Sequence, residues 1–240
     1  MPAIPVDLAR NLVLAHFPQA RAAWLGGSVA LGTPTATSDL DITVLLAGPP
    51  APYRESLNHE GWPVELFVQT EESVAHFRAA ERVARRPATA RLIGQSCILL
   101  DVDGSGEHLQ EDCARELSEG PESLSEKELR AMRYEVTDLL DDLAGSHDAN
   151  ERLAIGVALW QATARLLLTA NRRWLGGGKW LQRELVAFDQ VGSTDFGRSL
   201  ADGMRAIALG DVDPMTAVVI EVLDQVGGRL FEGFRASGPA

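Results

Sequence analysis

Two aspartates interrupt an otherwise apolar segment near the N-terminus of the chain. Residues 24–46 read WLGGSVALGTPTATSDLDITVLL, and Asp39 and Asp41 open the second apolar run. Successive side chains of a β-strand point to opposite faces, so Asp39, Asp41 and Thr43 should share one face while the aliphatic residues between them face the core. Neighbouring carboxylates repel each other, and a divalent cation that prefers oxygen ligands, such as Mg²⁺, relieves the repulsion. The spacing therefore predicts a metal site.

A third carboxylate occurs in a second apolar strand. Residues 62–68 read WPVELFV, and Glu65 is the only charged residue among them. We expect this strand to lie beside the strand of Asp39 and Asp41, which would bring the three carboxylates together. Such a set can hold two metal ions about 3.5–4 Å apart, the arrangement used for in-line displacement at phosphorus.

The turn before the aspartates is suited to an anion. A strand ends at Leu25, and Gly26, Gly27 and Ser28 lead into a segment that can begin a short helix. Glycines let the backbone approach a ligand closely, and the N–H groups of a helix N-terminus together with a serine hydroxyl favour phosphate. The sequence thus predicts phosphate on the turn, metal on the aspartates and phosphoryl chemistry between them.

The elements that position these residues follow from a change in hydrophobic period near the middle of the chain. Up to about Asp103 the pattern predicts an α/β layout with mixed strand directions, and from about Glu107 only the helical period remains. The polar segment 118–128 separates the two halves. The predicted elements are helices at 7–17, 71–86, 125–143, 151–174 and 214–234, strands at 21–25, 40–46 and 96–104, and a hairpin of strands 52–58 and 62–68.

Composition limits the classes of function. The 240 residues carry a formal net charge of −12, which argues against a broad nucleic-acid surface but not against a nucleotide bound by a few cations or metal ions. We find no run of eighteen apolar residues and no signal-peptide pattern. The two cysteines, Cys97 and Cys113, have neither metal-ligand spacing nor a disulfide framework. A cytoplasmic, reduced protein without a membrane span is the expectation.

The motif residues resemble a known family. Gly27-Ser28, ten intervening residues and Asp39-Leu-Asp41, with Glu65 in a later strand, are similar to the signature of the DNA polymerase β-like nucleotidyltransferase superfamily. The resemblance covers roughly residues 20–70. The helical half resembles that of bacterial enzymes that adenylylate aminoglycosides or lincosamides. The implied fold is α+β: a nucleotidyltransferase domain at 1–118 with a mixed sheet flanked by helices, and an all-α substrate-binding bundle at 119–240.

The resemblance also implies an activity and a set of site residues. The expected reaction is Mg²⁺-dependent transfer of a nucleoside monophosphate, AMP from ATP, to a hydroxyl of a small acceptor with release of pyrophosphate. Asp39 and Asp41 would hold two metal ions, and Glu65 would complete the one that activates the acceptor oxygen. The nucleotide would contact five residues, the last of them reaching the triphosphate across an interdomain cleft: Gly26, Gly27, Ser28, Ser38 and Lys179.

Other interpretations stay open at this point. The acceptor could be a protein or, against the charge, an RNA, and the chain could be a nucleotide-binding module without catalysis. The three carboxylates could be solvated strand residues, the Gly-Gly-Ser turn could bind nothing, and Lys179 could belong to a glycine-rich connector. Arg172 and Arg173 fit a charge pair at a helix C-terminus. Three aspartates fit either a solvated helix face or a substrate wall with a general base: Asp138, Asp141 and Asp142.

Overall fold

The computed structural model describes residues 5–236, so the first four and last four residues of the two predicted domains lie outside the described range. The chain forms two compact units, divided between Gly120 and Pro121. The first unit contains α1 (Pro5–His16), β1 (Ala22–Gly26), α2 (Gly27–Ala30), β2 (Leu40–Leu45), β3 (Tyr53–His59), β4 (Trp62–Gln69), α3 (Glu71–Val83), α4 (Ala88–Gly94), β5 (Cys97–Asp101) and α5 (Ser105–Glu119).

A mixed five-stranded sheet organises the first unit. Its strand order is β3-β4-β2-β1-β5; β2 and β4 pair in parallel, whereas the other neighbouring strands are antiparallel. Alternate residues of β2 divide between two cores, as a period of two requires. Ile42 packs with residues of α1 such as Leu12, and Leu45 packs on the other face with Trp24 of β1 and Ile93 of α4. The sheet is therefore covered by helices on both faces, and the predicted α+β class is confirmed.

A two-residue turn joins β3 to β4. Glu60 and Gly61 both have positive φ, 48° and 85°, as the type I′ turns favoured in tight hairpins require. His59 pairs with Trp62, and the register continues along both strands. The turn thus fixes which residues of β3 stand opposite those of β4.

The second unit is helical. It contains α6 (Glu126–Gly145), α7 (Ala149–Ala170), α8 (Lys179–Gly192), α9 (Phe196–Ala208) and α10 (Asp213–Gln225). Ser125 and Glu128 form the predicted capping box at the start of α6. Leu159 and Leu166 of α7 are fully buried in a core to which α6, α8, α9 and α10 also contribute.

Helix α7 alone among the described helices is long and apolar enough to cross a membrane, and half of its most apolar window is buried within the protein. The core helix of a globular unit has the same length and composition, so this is weak evidence for a membrane span. The cytoplasmic location stays a prediction.

Several predicted helix bounds are wrong. Helix α3 ends at Val83 and α7 at Ala170, where residues with positive φ follow: Arg85 at 55° and Arg172 at 53°. Helix α10 ends at Gln225 rather than at 234. The short α4 was not predicted, and the helical period in the second half did not delimit α5, α8 or α9.

Candidate active site

The three acidic side chains of the sequence motif meet at one end of β2 and β4. The parallel register places Asp41 directly beside Glu65, and Asp39 immediately precedes β2. One carboxylate oxygen from each of Asp39, Asp41 and Glu65 lies within 4.8 Å of the others, and all three residues are half-buried. Thr43, predicted to share their face, is 2% exposed. The oxygen-only donor set and its negative charge fit a hard divalent cation such as Mg²⁺.

A close approach between backbone and carboxylate explains one glycine of the turn. The antiparallel pairing of β1 with β2 sets Gly26 opposite Asp41. Gly27 follows with φ +67°, and a Cβ there would lie 1.9 Å from Asp41 Oδ2. Any side chain at Gly27 would therefore expel the carboxylate from its position.

The other glycine is explained by packing. A Cβ on Gly26 would lie 2.8 Å from the carbonyl oxygen of Leu92 in α4. The Gly-Gly pair thus makes room for the carboxylate cluster on one side and for helix α4 on the other, independently of any nucleotide.

The two serines predicted to contact the nucleotide are joined by a hydrogen bond. Ser28 is the second residue of the single-turn helix α2, and its Oγ lies 2.9 Å from Ser38 Oγ. The backbone N–H of Thr35 donates to Ser38 Oγ at 2.8 Å. The loop between α2 and β2 is folded back so that Ser28, which follows Gly27, meets Ser38, which precedes Asp39. Their contact with a nucleotide stays a prediction.

Sequence reasoning missed a cation at the carboxylate cluster. Arg54 Nη2 on β3 donates to Glu65 Oε2 at 2.5 Å, and the guanidinium carbon lies 5.1 Å from the centroid of the Phe67 ring. Arg54 stands opposite Phe67 in the hairpin register. The sequence predicted a hairpin joined by the three residues 59–61, whereas His59 pairs with Trp62 and the turn has two residues, so the predicted hairpin did not give this register.

Lys179 lies in the helical unit as the exposed first residue of α8. It follows Gly178, whose φ is +53°, and a Cβ on Gly176 would lie 2.4 Å from the backbone of Trp180. The glycine run therefore has a packing role as a connector. The proposed contact between Lys179 and a triphosphate stays a prediction.

The other charged residues singled out in the second half have structural partners or face solvent. Arg172 follows the end of α7, and its Nε donates to the carbonyl of Pro121 at 3.3 Å. Asp138, Asp141 and Asp142 are exposed on α6, and Asp141 forms an ion pair with Arg229. These contacts agree with a solvated helix face and leave a general-base role for any of the three as a prediction.

Comparisons with known proteins add little to this geometry. No family model matches the sequence, and no curated protein matches it. Among solved structures, the chain is similar to a nucleotidyltransferase-like protein from Exiguobacterium sibiricum 255-15, with 11% sequence identity and a TM-score of 0.40 over 92% of this chain and 80% of that chain. A likeness at this level carries no argument for the activity, so the functional conclusion depends on the residues of the site.

Proposed function

We propose that this protein is a metal-dependent nucleotidyltransferase that moves a nucleoside monophosphate, AMP from ATP, to a hydroxyl of a small acceptor. The observation that carries the proposal is the convergence of three carboxylates from two parallel strands, with ligand oxygens within 4.8 Å of one another. The Gly-Ser turn beside Asp41 supplies the second half of the motif. Three half-buried carboxylates this close together repel one another, and a divalent cation would relieve that repulsion.

The roles of the residues follow from their positions. Asp39 and Asp41 would hold the metal ions, and Glu65 would complete the ion nearer the acceptor. Bound ions of this kind neutralise the triphosphate and lower the pKa of a coordinated hydroxyl. Ser28 and the backbone N–H groups of the turn would bind phosphate oxygens, which are strong acceptors of hydrogen bonds. Catalysis would consist mainly of positioning and charge neutralisation.

The reaction joins the acceptor oxygen to the α-phosphorus. The hydroxyl oxygen forms the new O–P bond, the bond between the α-phosphorus and the bridging oxygen breaks, and pyrophosphate leaves with that electron pair. The hydroxyl proton passes to solvent. The nucleotide turn and the third carboxylate lie on opposite sides of β2 in the sheet. This arrangement suits an in-line displacement, in which the attacking oxygen and the leaving oxygen lie on opposite sides of phosphorus.

Metal and nucleotide binding test the proposal before any acceptor is known. Mn²⁺ binding followed by electron paramagnetic resonance, and Mg²⁺-ATP binding followed by calorimetry, should both be detected with the wild-type chain. Asp41→Asn should weaken Mn²⁺ binding at least tenfold, since a ligand charge is lost at a site with few other ligands. Asp7→Asn is the matched control, because Asp7 is an exposed aspartate of the same unit on α1.

Turnover supplies the second half of the test. Pyrophosphate release from Mg²⁺-ATP, measured with a panel of hydroxyl compounds, should fall at least about 100-fold in Asp39→Asn and Asp41→Asn, the size expected when transition-state charge loses its stabilisation. Circular dichroism checks that both variants are folded. Metal and ATP binding that is unaffected by Asp41→Asn would contradict the proposal outright.

A further inference from the structure

A groove of about 310 Å³ opens beside the carboxylate cluster within the first unit. Arg54 and Phe67 of the β3–β4 hairpin form one wall, and Phe77 of α3 and Leu92 of α4 contribute to the other. Its size matches the lower end of the range for small-molecule sites. The proposed function assigns no ligand to it.

The groove is connected to the cluster through two residues of the hairpin. Phe67 lies two residues beyond Glu65 on the same face of β4, a distance of about 7 Å along a strand. Arg54 lines the groove and is also ion-paired to Glu65 at 2.5 Å. A molecule in the groove that takes the place of this guanidinium would therefore bring one end to Glu65.

The position of the groove relative to the turn is suited to an acceptor. The nucleotide turn follows β1, the two aspartates belong to β2, and Glu65 belongs to β4, so Gly27 and Glu65 lie on opposite sides of β2. With the pyrophosphate on the turn, an in-line attack must come from the side of Glu65. That is the side on which the hairpin forms the wall of the groove.

The residues that line the groove indicate the shape and polarity of a fitting acceptor. Phe77 is 40% exposed although it is aromatic, and with Phe67 and Leu92 it offers flat and aliphatic surface. Glu81 also lines the groove, fixed by the Thr89 backbone N–H at 2.7 Å and the Thr89 hydroxyl at 2.8 Å. Desolvation raises the pKa of Glu81, and its remaining lone pairs can accept from a ligand. A hydrogen-bond donor on the ligand would offset part of the cost of burying this carboxyl group.

We infer that the groove binds the acceptor, and that the acceptor is a small hydroxyl compound with a flat apolar body and a hydrogen-bond donor at its far end. The inference rests on the proposed function. The reacting hydroxyl lies at Glu65, the apolar body lies between Phe67 and Phe77, and the donor lies at Glu81. It assigns acceptor binding to the first unit, whereas the sequence resemblance implied the helical one.

Tyrosol, 4-(2-hydroxyethyl)phenol, is a probe with all three features. Tyrosol is added to the ¹⁵N-labelled full chain at roughly 10 mM, because fragment-sized ligands bind in the millimolar range. Its binding should change the amide chemical shifts of Phe67, Phe77 and Thr89. D-Glucose, which has hydroxyls but no flat apolar body, should leave these amides unchanged. With Mg²⁺-ATP present, wild type should release pyrophosphate with tyrosol but not with 4-ethylphenol, which lacks the aliphatic hydroxyl.

Two tryptophan substitutions test the location. Ala88→Trp fills the groove, since Ala88 lines it and is exposed. It should abolish the tyrosol shifts and lower tyrosol-dependent pyrophosphate release at least tenfold. Ala79→Trp is the matched control: Ala79 is exposed on α3, two residues from both Phe77 and Glu81 and so on the opposite side of the helix. It should change neither measurement.

The outcomes separate this inference from the proposed function. Mg²⁺-ATP shifts at Gly27 and Ser28 without tyrosol shifts in the groove would overturn the inference and leave the proposed function standing. ATP shifts in the groove itself would make it a base site and also overturn the inference. Tyrosol shifts in the groove without any ATP binding would refute the proposed function and with it the acceptor assignment.

Discussion

Gly27→Ala tests the geometry of the candidate site without changing any charge. Alanine at φ +67° costs about 1–2 kcal/mol because a Cβ in the left-handed region approaches the following carbonyl. The same Cβ would lie 1.9 Å from Asp41 Oδ2, a separation that no relaxation short of moving the carboxylate can accommodate. Displacing a side chain from its rotamer costs a further 0.5–1.5 kcal/mol or so. The free energy of unfolding should fall by roughly 1.5–3.5 kcal/mol.

Gly32→Ala separates the two contributions. Gly32 has φ +69°, almost the value at Gly27, but a Cβ there would meet nothing within 4 Å. Gly32→Ala should therefore lower the free energy of unfolding only by the backbone contribution, about 1–2 kcal/mol. Urea denaturation of both variants in EDTA should show Gly27→Ala less stable by about 1 kcal/mol, and Mn²⁺ binding should weaken at least tenfold only in Gly27→Ala. Equal destabilisation together with equal Mn²⁺ affinity in the two variants would refute the contact between Gly27 and Asp41.

Three further outcomes are expected. Glu65→Gln should lower turnover more than ATP affinity, since Glu65 would complete the ion nearer the acceptor; an equal loss of ATP binding in calorimetry would assign Glu65 to the other ion. Lys179→Ala should raise the dissociation constant of ATP about tenfold for the loss of a charge-assisted contact of about 1.5 kcal/mol, with little effect on AMP, and unchanged ATP affinity would restore the connector role. Hydrogen bonding by Ser105 and the ion pair with Arg21 lower the pKa of Asp103 to about 2. Because this pKa lies below the unfolded value of about 3.9, the stabilisation is present above that value and is lost as the pH falls toward 2. The stability difference between wild type and Asp103→Asn should shrink over that interval in acid titrations, and a constant difference would contradict the assignment.

The sheet and the carboxylate cluster were predictable because both depend on a period of two. Alternation placed Asp39 and Asp41 on one face. Glu65 was recognisable because it is the single charged residue of the predicted hairpin strand 62–68. The adjacency of β2 and β4 was only an expectation in the sequence, and their parallel direction was not predicted, since nothing local specifies which strand an apolar run will join. Arg54 was not predicted, because an exposed arginine on an edge strand has no distinctive pattern and the predicted three-residue connection did not fix the hairpin register.

Helix ends were less predictable for reasons that differ from case to case. Helix α3 is followed by Arg85 in the left-handed region, a conformation with no signature when the residue is not glycine. The seven residues of α4 are too few for a reliable helical period. The end of α10 was legible, since Gly227 and Gly228 follow it with positive φ, the usual C-terminal signal. The groove is lined jointly by the hairpin, α3 and α4, a combination that no local pattern contains.

The ion pair between Arg54 and Glu65 changes what metal binding means for this protein. A divalent ion at Glu65 would compete with the guanidinium that donates to Oε2. The affinity for metal would then be a difference between two attractions, that of the ion and that of the arginine. A displaced guanidinium would still be attached to β3 beside the Phe67 ring. It would keep a positive charge at the rim of the site, where an anion that arrives with the metal could bind.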